Sequence, residues 1–215
     1  MITSDGSTTI HLPDWDEQYH SKNGAIQEAY HVFIKAGFEK FIQKNIAILE
    51  IGFGTGLNTF ITFLEAEIAN KKIDYVGVEA YPVLADELKK LNYISELKAA
   101  KQQEVFTKIH SVSWNEKHII SDNFSLTKRK QFFDQIDDAN QFDLIYFDAF
   151  GAKNQPELWT EEIFAKMFTA LKQSGILVTY SAKGSVRRAM QAVGFLVERL
   201  PGPPGKREML RAIKN

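Results

Sequence analysis

AILEIGFGTGLNT, residues 47–59, carries the reading of the fold. A short apolar run ends at Glu50, then Gly52, Gly54 and Gly56 alternate with other residues before an apolar, helix-compatible segment begins. The pattern is strand, glycine loop, helix. In a parallel α/β sheet such a loop leaves the carboxyl end of a strand, where the next helix presents free N–H groups, so a ligand is expected there. Spacing narrows the ligand. A dinucleotide fingerprint needs GxGxxG, and Leu57 stands where its third glycine belongs; a P-loop needs GK[ST], and Asn58-Thr59 brings no lysine. Both NAD and ATP are demoted.

Outward from the loop, alternating strand-like and helix-like segments predict a doubly wound α/β sheet. Leu57 to Ala69 reads as a helix with Phe60, Ile61, Phe63, Leu64 and Ile68 facing the sheet. Ile73 to Val78 is a second buried strand, ending in Glu79, about twenty residues past the glycines, where nucleotide-binding units place a carboxylate to accept hydrogen bonds from ribose hydroxyls. Pro82 to Lys101 has helical leucine spacing with a break near Asn92. EVFTKIHSVSW (104–114) suggests a third strand leading to Trp114, and the mixed, charged stretch from Asn115 to Asn140 reads as loop and helix. Phe142 to Phe147 is a near-continuous apolar run, as for a central strand buried on both faces, and Asp148 follows it. Adjacent parallel strands end on one side, so Asp148 should stand near the glycine loop. A helix over Glu157–Gln173 closing at Ser174-Gly175, a strand in GILVTYS, a helix in GSVRRAMQAVG, a strand in FLVERL and a last antiparallel strand in KREMLRAIK complete the chain.

Composition fits one domain, 1–215, with residues 1–45 as an N-terminal extension packed on it: 215 residues, 44% hydrophobic and 25% charged. The extension should hold a short strand pair, punctuated by Gly6 and Pro13, then a turn at Asn23-Gly24 and an amphipathic helix through Ile26, Tyr30, Phe33 and Ile34. The small polar group Asp16, Tyr19 and Ser21 precedes that turn. With no cysteine, disulfide scaffolds, cysteine zinc sites and thiol nucleophiles are excluded. His11, His20 and His31 complete no HxxxH pair, so no metal is expected. No apolar stretch is long enough to span a bilayer and the opening MITSDGSTTIHLPDWDE has no basic n-region followed by an apolar core, so neither a membrane partner nor export is expected and a cytoplasmic location is. The net charge of -1 argues against a protein coated in positive charge, yet Lys183, Arg187, Arg188, Arg199, Lys206, Arg207, Arg211 and Lys214 outnumber Glu198 and Glu208 in the last third.

An acid just before GxGxG, with another closing the next strand, resembles the class I S-adenosylmethionine-dependent methyltransferases. The resemblance extends further: LEIGFGTGLNTF, DAFGAKNQPELW, VRRAMQAVGF with GPPGKREML, and the opening WDEQYHSKNGAIQEAYHVF are together similar to the tRNA methyltransferases that complete 5-methylaminomethyl-2-thiouridine at the wobble position. This family includes one half of a bifunctional protein. The match covers nearly the whole chain and departs from the family pattern at His20 and Ala152, which bear on the pocket rim. It implies a Rossmann-like, mostly parallel sheet with an antiparallel C-terminal strand. It also implies methyl transfer from S-adenosylmethionine to the primary amine of a 5-aminomethyl-uridine, with no FAD and no metal. Asp148 is then the catalytic candidate. Gly52, Gly54, Gly56, Glu50, Asn58, Glu79 and Trp114 are the cofactor candidates, with Glu50 bracing the loop. Arg187, Arg188, Lys206 and Arg207 are candidates for the tRNA anticodon stem-loop, and Phe150 or Tyr146 for stacking on a splayed base. The family's oxidase step is expected to be absent or to be performed upstream by a separate protein. Each feature also has an ordinary structural counterpart: a strand-end acid facing water, a core tryptophan, a solvated helix face. Two other readings therefore stand beside this one, a transferase acting on a small-molecule amine and a non-catalytic RNA-binding module.

Overall fold

The computed structural model describes residues 1–12 and 17–215; Pro13 and Asp16, named above, lie outside them. At the N-terminus, β1 (His11–Leu12) pairs antiparallel with β2 (Glu17–Gln18). Gly24, at φ 126, turns the chain into α1 (Ala25–Ala29), which widens into a π-helical turn over Tyr30–Lys35. The sheet begins with β3 (Asn45–Ile51), and the glycine loop leads from it into α2 (Leu57–Ala69). There follow β4 (Lys72–Glu79), the short helices α3 (Ala85–Leu88) and α4 (Tyr93–Glu96), and α5 (Gln103–Ser111). Strands β5 (Lys117–Ser121) and β6 (Phe124–Lys130) precede β7 (Phe142–Phe147), α6 (Glu161–Ala170) and β8 (Leu171–Thr179). Helix α7 (Gly184–Ala192) then leads to β9 (Leu196–Pro201) and β10 (Glu208–Ile213).

Eight strands form one sheet in the order β5-β6-β4-β3-β7-β8-β10-β9. The five from β6 to β8 run parallel, β5 is antiparallel on one edge, and β10 lies antiparallel between β8 and β9. Strands β3 and β7 are mostly apolar because each face of the sheet is covered, with Glu50 on β3 and Asp143 on β7 as the acids among them. On one face Ile48, Tyr75, Leu144 and Tyr146 pack against Phe33, Phe60, Ile61 and Phe106. On the other, Leu49, Ile51, Ile145 and Phe147 pack against Trp159, Ile163, Phe164, Met167 and Met190. Burying two helical layers this way, at roughly 25 cal/mol per Å² of apolar area, is what holds the strand ends in place.

Helix α2 has the predicted limits, but Ile68 is 79% exposed. Phe60, Ile61 and Phe63 are buried as predicted, together with Asn58, Thr59 and Thr62, whose side chains meet Asp148, Glu50 and the Tyr146 hydroxyl on the neighbouring strands. The predicted strand over 104–114 is the helix α5: β-forming Val105, Phe106 and Ile109 are overridden by packing of Phe106 on Phe60, ring centroids 5.0 Å apart. The predicted loop and helix over 115–140 is largely the β5–β6 hairpin, in which Phe124, Leu126 and Lys128 alternate inward. A buried lysine hid that period-two pattern. Helix α6 stops at Ala170, and the chain enters β8 at once with Ser174 at φ 62, so Gly175 is a strand residue and not a helix cap. The predicted helix start at Glu157 is a 3-10 turn over Pro156–Trp159; Thr160 then caps α6, its hydroxyl accepting from the Ile163 N–H.

Candidate active site

The carboxyl ends of β3, β4, β7 and β8 converge, and a cleft of about 1040 Å³ opens above them. Gly52 and Gly54 form part of its wall. Gly52 is at φ 89, and a Cβ there would stand 2.7 Å from the carbonyl oxygen of Asp148; only glycine lets the loop pass so close to the neighbouring strand end. A Cβ on Gly54, at φ 49, would stand 3.1 Å from the Tyr19 ring. Gly56 lies outside the lining and serves as the left-handed N-cap of α2.

Glu79 sits at the end of β4 and accepts the Gly54 N–H on Oε2 and the Tyr81 N–H on Oε1, each at 3.0 Å. Each carboxylate oxygen still has a lone pair for a ligand hydroxyl. Burial pushes the Glu79 carboxyl above its ordinary range against these two donors. Next to it Ala80, Tyr81, Phe132 and Phe133 line the cleft, with the Tyr81 and Phe132 rings edge to face at 5.9 Å. An apolar slot thus adjoins a hydroxyl-accepting acid. Together with the glycine cradle, this donor set fits the adenosyl and methionyl parts of S-adenosylmethionine.

Asp148 lies on the other side of the loop, partly buried. Asn58, from the first turn of α2, donates to its Oδ2 at 2.9 Å. Burial, then the charge of Glu28, push the Asp148 carboxyl up to about 7, while Asn58 and Lys206 act the other way. Around it stand Phe150, Tyr180, Glu28 and Lys206. Glu50 lies beneath the loop, fully buried, with Oε2 accepting from the hydroxyls of Thr59 and Tyr75, both at 2.9 Å, and Oε1 without a partner. Burial pushes its carboxyl up to about 8.

The remaining candidates scatter. Trp114 lies away from the cleft, packed on Phe53 at 5.8 Å and under the Lys128 ammonium at 5.0 Å. Tyr146 is fully buried, its hydroxyl 3.3 Å from that of Thr62, so it offers no face to a base. Phe150 lines the cleft with its ring edge to face against Tyr19 at 5.0 Å. Lys206 is inside the cleft, whereas Arg187, Arg188 and Arg207 are not in its lining. Arg188 and Arg207 are exposed, and Arg187 keeps a buried Nε without a partner. Arg199, Arg211 and Lys214 are engaged by Glu208, Glu198 and Asn140.

Tyr19, Ser21 and the rim residue His20, which the sequence marked without a role, stand at the cleft, beside residues it did not single out. Residues 18–21 line it as a strap, and His20 fastens the strap to the loop through Nε2 and the Thr55 hydroxyl at 2.7 Å, which in turn meets the Tyr93 hydroxyl at 3.0 Å. Burial pulls the His20 imidazole down to about 4 and pushes the Tyr19 phenol up to about 12. Glu28 and Tyr180 carried no local signal; Phe132 and Phe133 were legible only as the end of a strand that was not recognised. Among the described residues, no helix is long and apolar enough to cross a membrane.

Comparison with known proteins complements this geometry. Residues 90–215 match the model of a family described as S-adenosyl-L-methionine-dependent methyltransferase. The chain is 28% identical over 213 residues to the tRNA 5-methylaminomethyl-2-thiouridine biosynthesis bifunctional protein MnmC of Hydrogenovibrio crunogenus, covering 91% of this chain and 31% of that one. It is 30% identical over 219 residues to the protein of the same name from Marinomonas sp., covering 93% and 31%. The chain thus spans about a third of the length of the curated relatives it matches. Among solved structures, MNMC2 from Aquifex aeolicus is similar with a TM-score of 0.74 at 24% identity, over 98% of this chain and 68% of that one. Spermidine synthase from Thermotoga maritima gives 0.57 at 14%, over 97% and 68%. At these identities the likeness concerns the fold.

Proposed function

Since the chain belongs to the family of S-adenosyl-L-methionine-dependent methyltransferases, we propose that it methylates the aminomethyl group of 5-aminomethyl-(2-thio)uridine at the tRNA wobble position. The observation that carries the reading is the pairing of a glycine cradle and Glu79 on one side of the cleft with a single raised carboxyl, Asp148, on the other. The names of the relatives supply the substrate.

Gly52, Gly54 and Glu79 hold the cofactor, with Tyr81 and Phe132 against its base. When bound, S-adenosylmethionine supplies an electrophilic methyl carbon on a sulfonium. Only a neutral amine has the lone pair to take that methyl. For an amine like that of lysine, with a pKa of about 10.4, deprotonation at pH 7 costs roughly 4 to 5 kcal/mol. Desolvation in the cleft lowers this cost, while an ionised Asp148 raises it, so Asp148 acts by orienting the amine and by accepting its proton on Oδ1, the oxygen that Asn58 leaves free. Glu50 stays beneath the loop as a brace through Thr59. Phe150 offers an aromatic edge to the extruded base. Lys183, Arg188 and Arg207, exposed and without an ion pair among the described residues, suit the phosphates of the anticodon stem-loop.

The test is mass spectrometry of wobble nucleosides after incubating the protein and labelled S-adenosylmethionine with tRNA carrying the unmethylated aminomethyl group. Label in 5-methylaminomethyl-uridine is expected. Label appearing only in free small amines would instead favour the polyamine-like reading suggested by the spermidine synthase likeness in fold.

A further inference from the structure

We propose that Lys206 is a positioning residue of the amine site and not a phosphate contact: seated on Glu28 and the Tyr180 ring, its ammonium is the fixed cation that governs the proton on Asp148 and disfavours one on a neighbouring amine. The inference rests on the reading that this cleft methylates an amine.

The lysine is held from both sides. Its Nζ is 2.6 Å from Glu28 Oε2 and 3.9 Å from the centre of the Tyr180 ring. The Tyr180 hydroxyl donates to the carbonyl of Ala149 at 2.8 Å, which ties the ring to the residue after Asp148. Glu28 is itself buried, at 8% exposure, and the Lys206 side chain is 31% exposed, so the pair is held on the acid's side by the fold and open to solvent only at the lysine. Around it the N-terminal segment is docked onto the loop before β10. A Cβ on Gly205 would stand 2.0 Å from Asn23 Nδ2, and His31 donates through Nε2 to the Pro201 carbonyl at 2.8 Å. Swinging Lys206 out to a phosphate would break the ion pair and leave Glu28 buried and alone. Arg188 and Arg207 are exposed and face no such cost.

Three titratable groups surround Asp148, Glu50 on β3 below it, Glu28 on α1 and Lys206 before β10, and the neutral donor Asn58 comes from α2. The acids Glu79, Asp134, Glu157 and Glu162 line the outer walls. Glu28 and Lys206 therefore pull the Asp148 proton in opposite directions, Glu28 favouring it and Lys206 opposing it. A cation here also repels a protonated substrate amine, so it helps the carboxylate and the amine towards their reactive forms at once.

The test uses the whole protein labelled with carboxyl-¹³C aspartate, the Asp148 resonance being identified by its loss in Asp148→Asn. In Lys206→Met the titration midpoint of Asp148 is expected to rise by on the order of one pH unit, in Lys206→Arg to stay in place, and in Glu28→Gln to fall. The acid limb of the kcat/KM profile on aminomethyl-uridine RNA should move with it in each variant. Opposite shifts are the signature, because general loosening of the cleft moves both variants the same way. Unmoved midpoints, or a Lys206→Met variant changed only in KM and salt dependence, would overturn the proposal. If Lys206→Met does not fold, Lys206→Gln takes its place, with the same upward shift expected. Wild-type protein that transfers no methyl would count against the amine reading alone, since the titration needs no substrate.

Discussion

Replacing Glu50 with glutamine should make the pH dependence of stability cross that of the wild type. In the folded protein this carboxyl is pushed from 4.5 to about 8 by burial, which is equivalent to about 5 kcal/mol against the ionised form. Between those values the folded state keeps a proton that the unfolded chain releases, so wild-type stability falls as pH rises through the window and levels off above it. Glutamine has the same shape and no charge. Its carbonyl takes the hydroxyls of Thr59 and Tyr75, but its amide nitrogen then occupies the place of Oε1, which has no partner. That unpaired group costs about 1–3 kcal/mol at every pH. The variant should therefore be less stable than the wild type by about 0–2 kcal/mol at pH 5 and more stable by about 2–4 kcal/mol at pH 9, with the curves crossing at about pH 6. Urea unfolding followed by tryptophan fluorescence from pH 5 to 9 measures the difference, and subtraction removes the parallel contribution of Asp148. Two curves that stay parallel would refute the reasoning, since Glu50 would then ionise in the fold as it does in the unfolded chain.

Other predictions concern the cleft. Asp148→Ala should keep cofactor affinity within a few-fold by calorimetry and lose roughly 10²- to 10⁴-fold in methyl transfer; full turnover would remove its catalytic role. Gly54→Leu should abolish measurable cofactor binding, because a side chain at φ 49 meets the Tyr19 ring and fills the cradle, and an unchanged calorimetric affinity would disprove the assignment of the loop. Arg188→Glu with Arg207→Glu should weaken tRNA binding and lower the salt slope by about 2 without altering cofactor affinity; an unchanged slope would place the RNA elsewhere.

How much was legible in the sequence depended on whether a residue's neighbours lay along the chain or across it. Helix α2 was read to its end residues because glycine punctuation at Gly56 and the apolar run that follows are local. Asp148 and Glu79 were found because strand ends in a parallel sheet share an edge. Helix α5 was misread because its β-forming residues are overruled by a contact with Phe60, more than forty positions earlier, and strand β6 because Lys128 interrupts its apolar alternation while buried among Trp114, Phe53 and the carbonyl of His110. Glu28 gave no sign at all. It is one acid on a short helix, and only its partner 178 positions away distinguishes it from a solvated one. Lys206 was read together with the basic cluster as a phosphate candidate, since a basic run in sequence does not reveal which member turns into the cleft.

The place of β10 between β8 and β9 has a consequence for synthesis. The strand that joins these two is made after both, so as the polypeptide emerges from the ribosome β8 and β9 each wait with an unpaired edge. The glycine cradle, Glu79 and Asp148 precede β9 in the chain, and Lys206 and β10 follow it. Until β10 is in place the sheet ends at β8, β9 has no partner and Lys206 is not seated on Glu28, so slow translation or a truncated product leaves unpaired strands that invite aggregation.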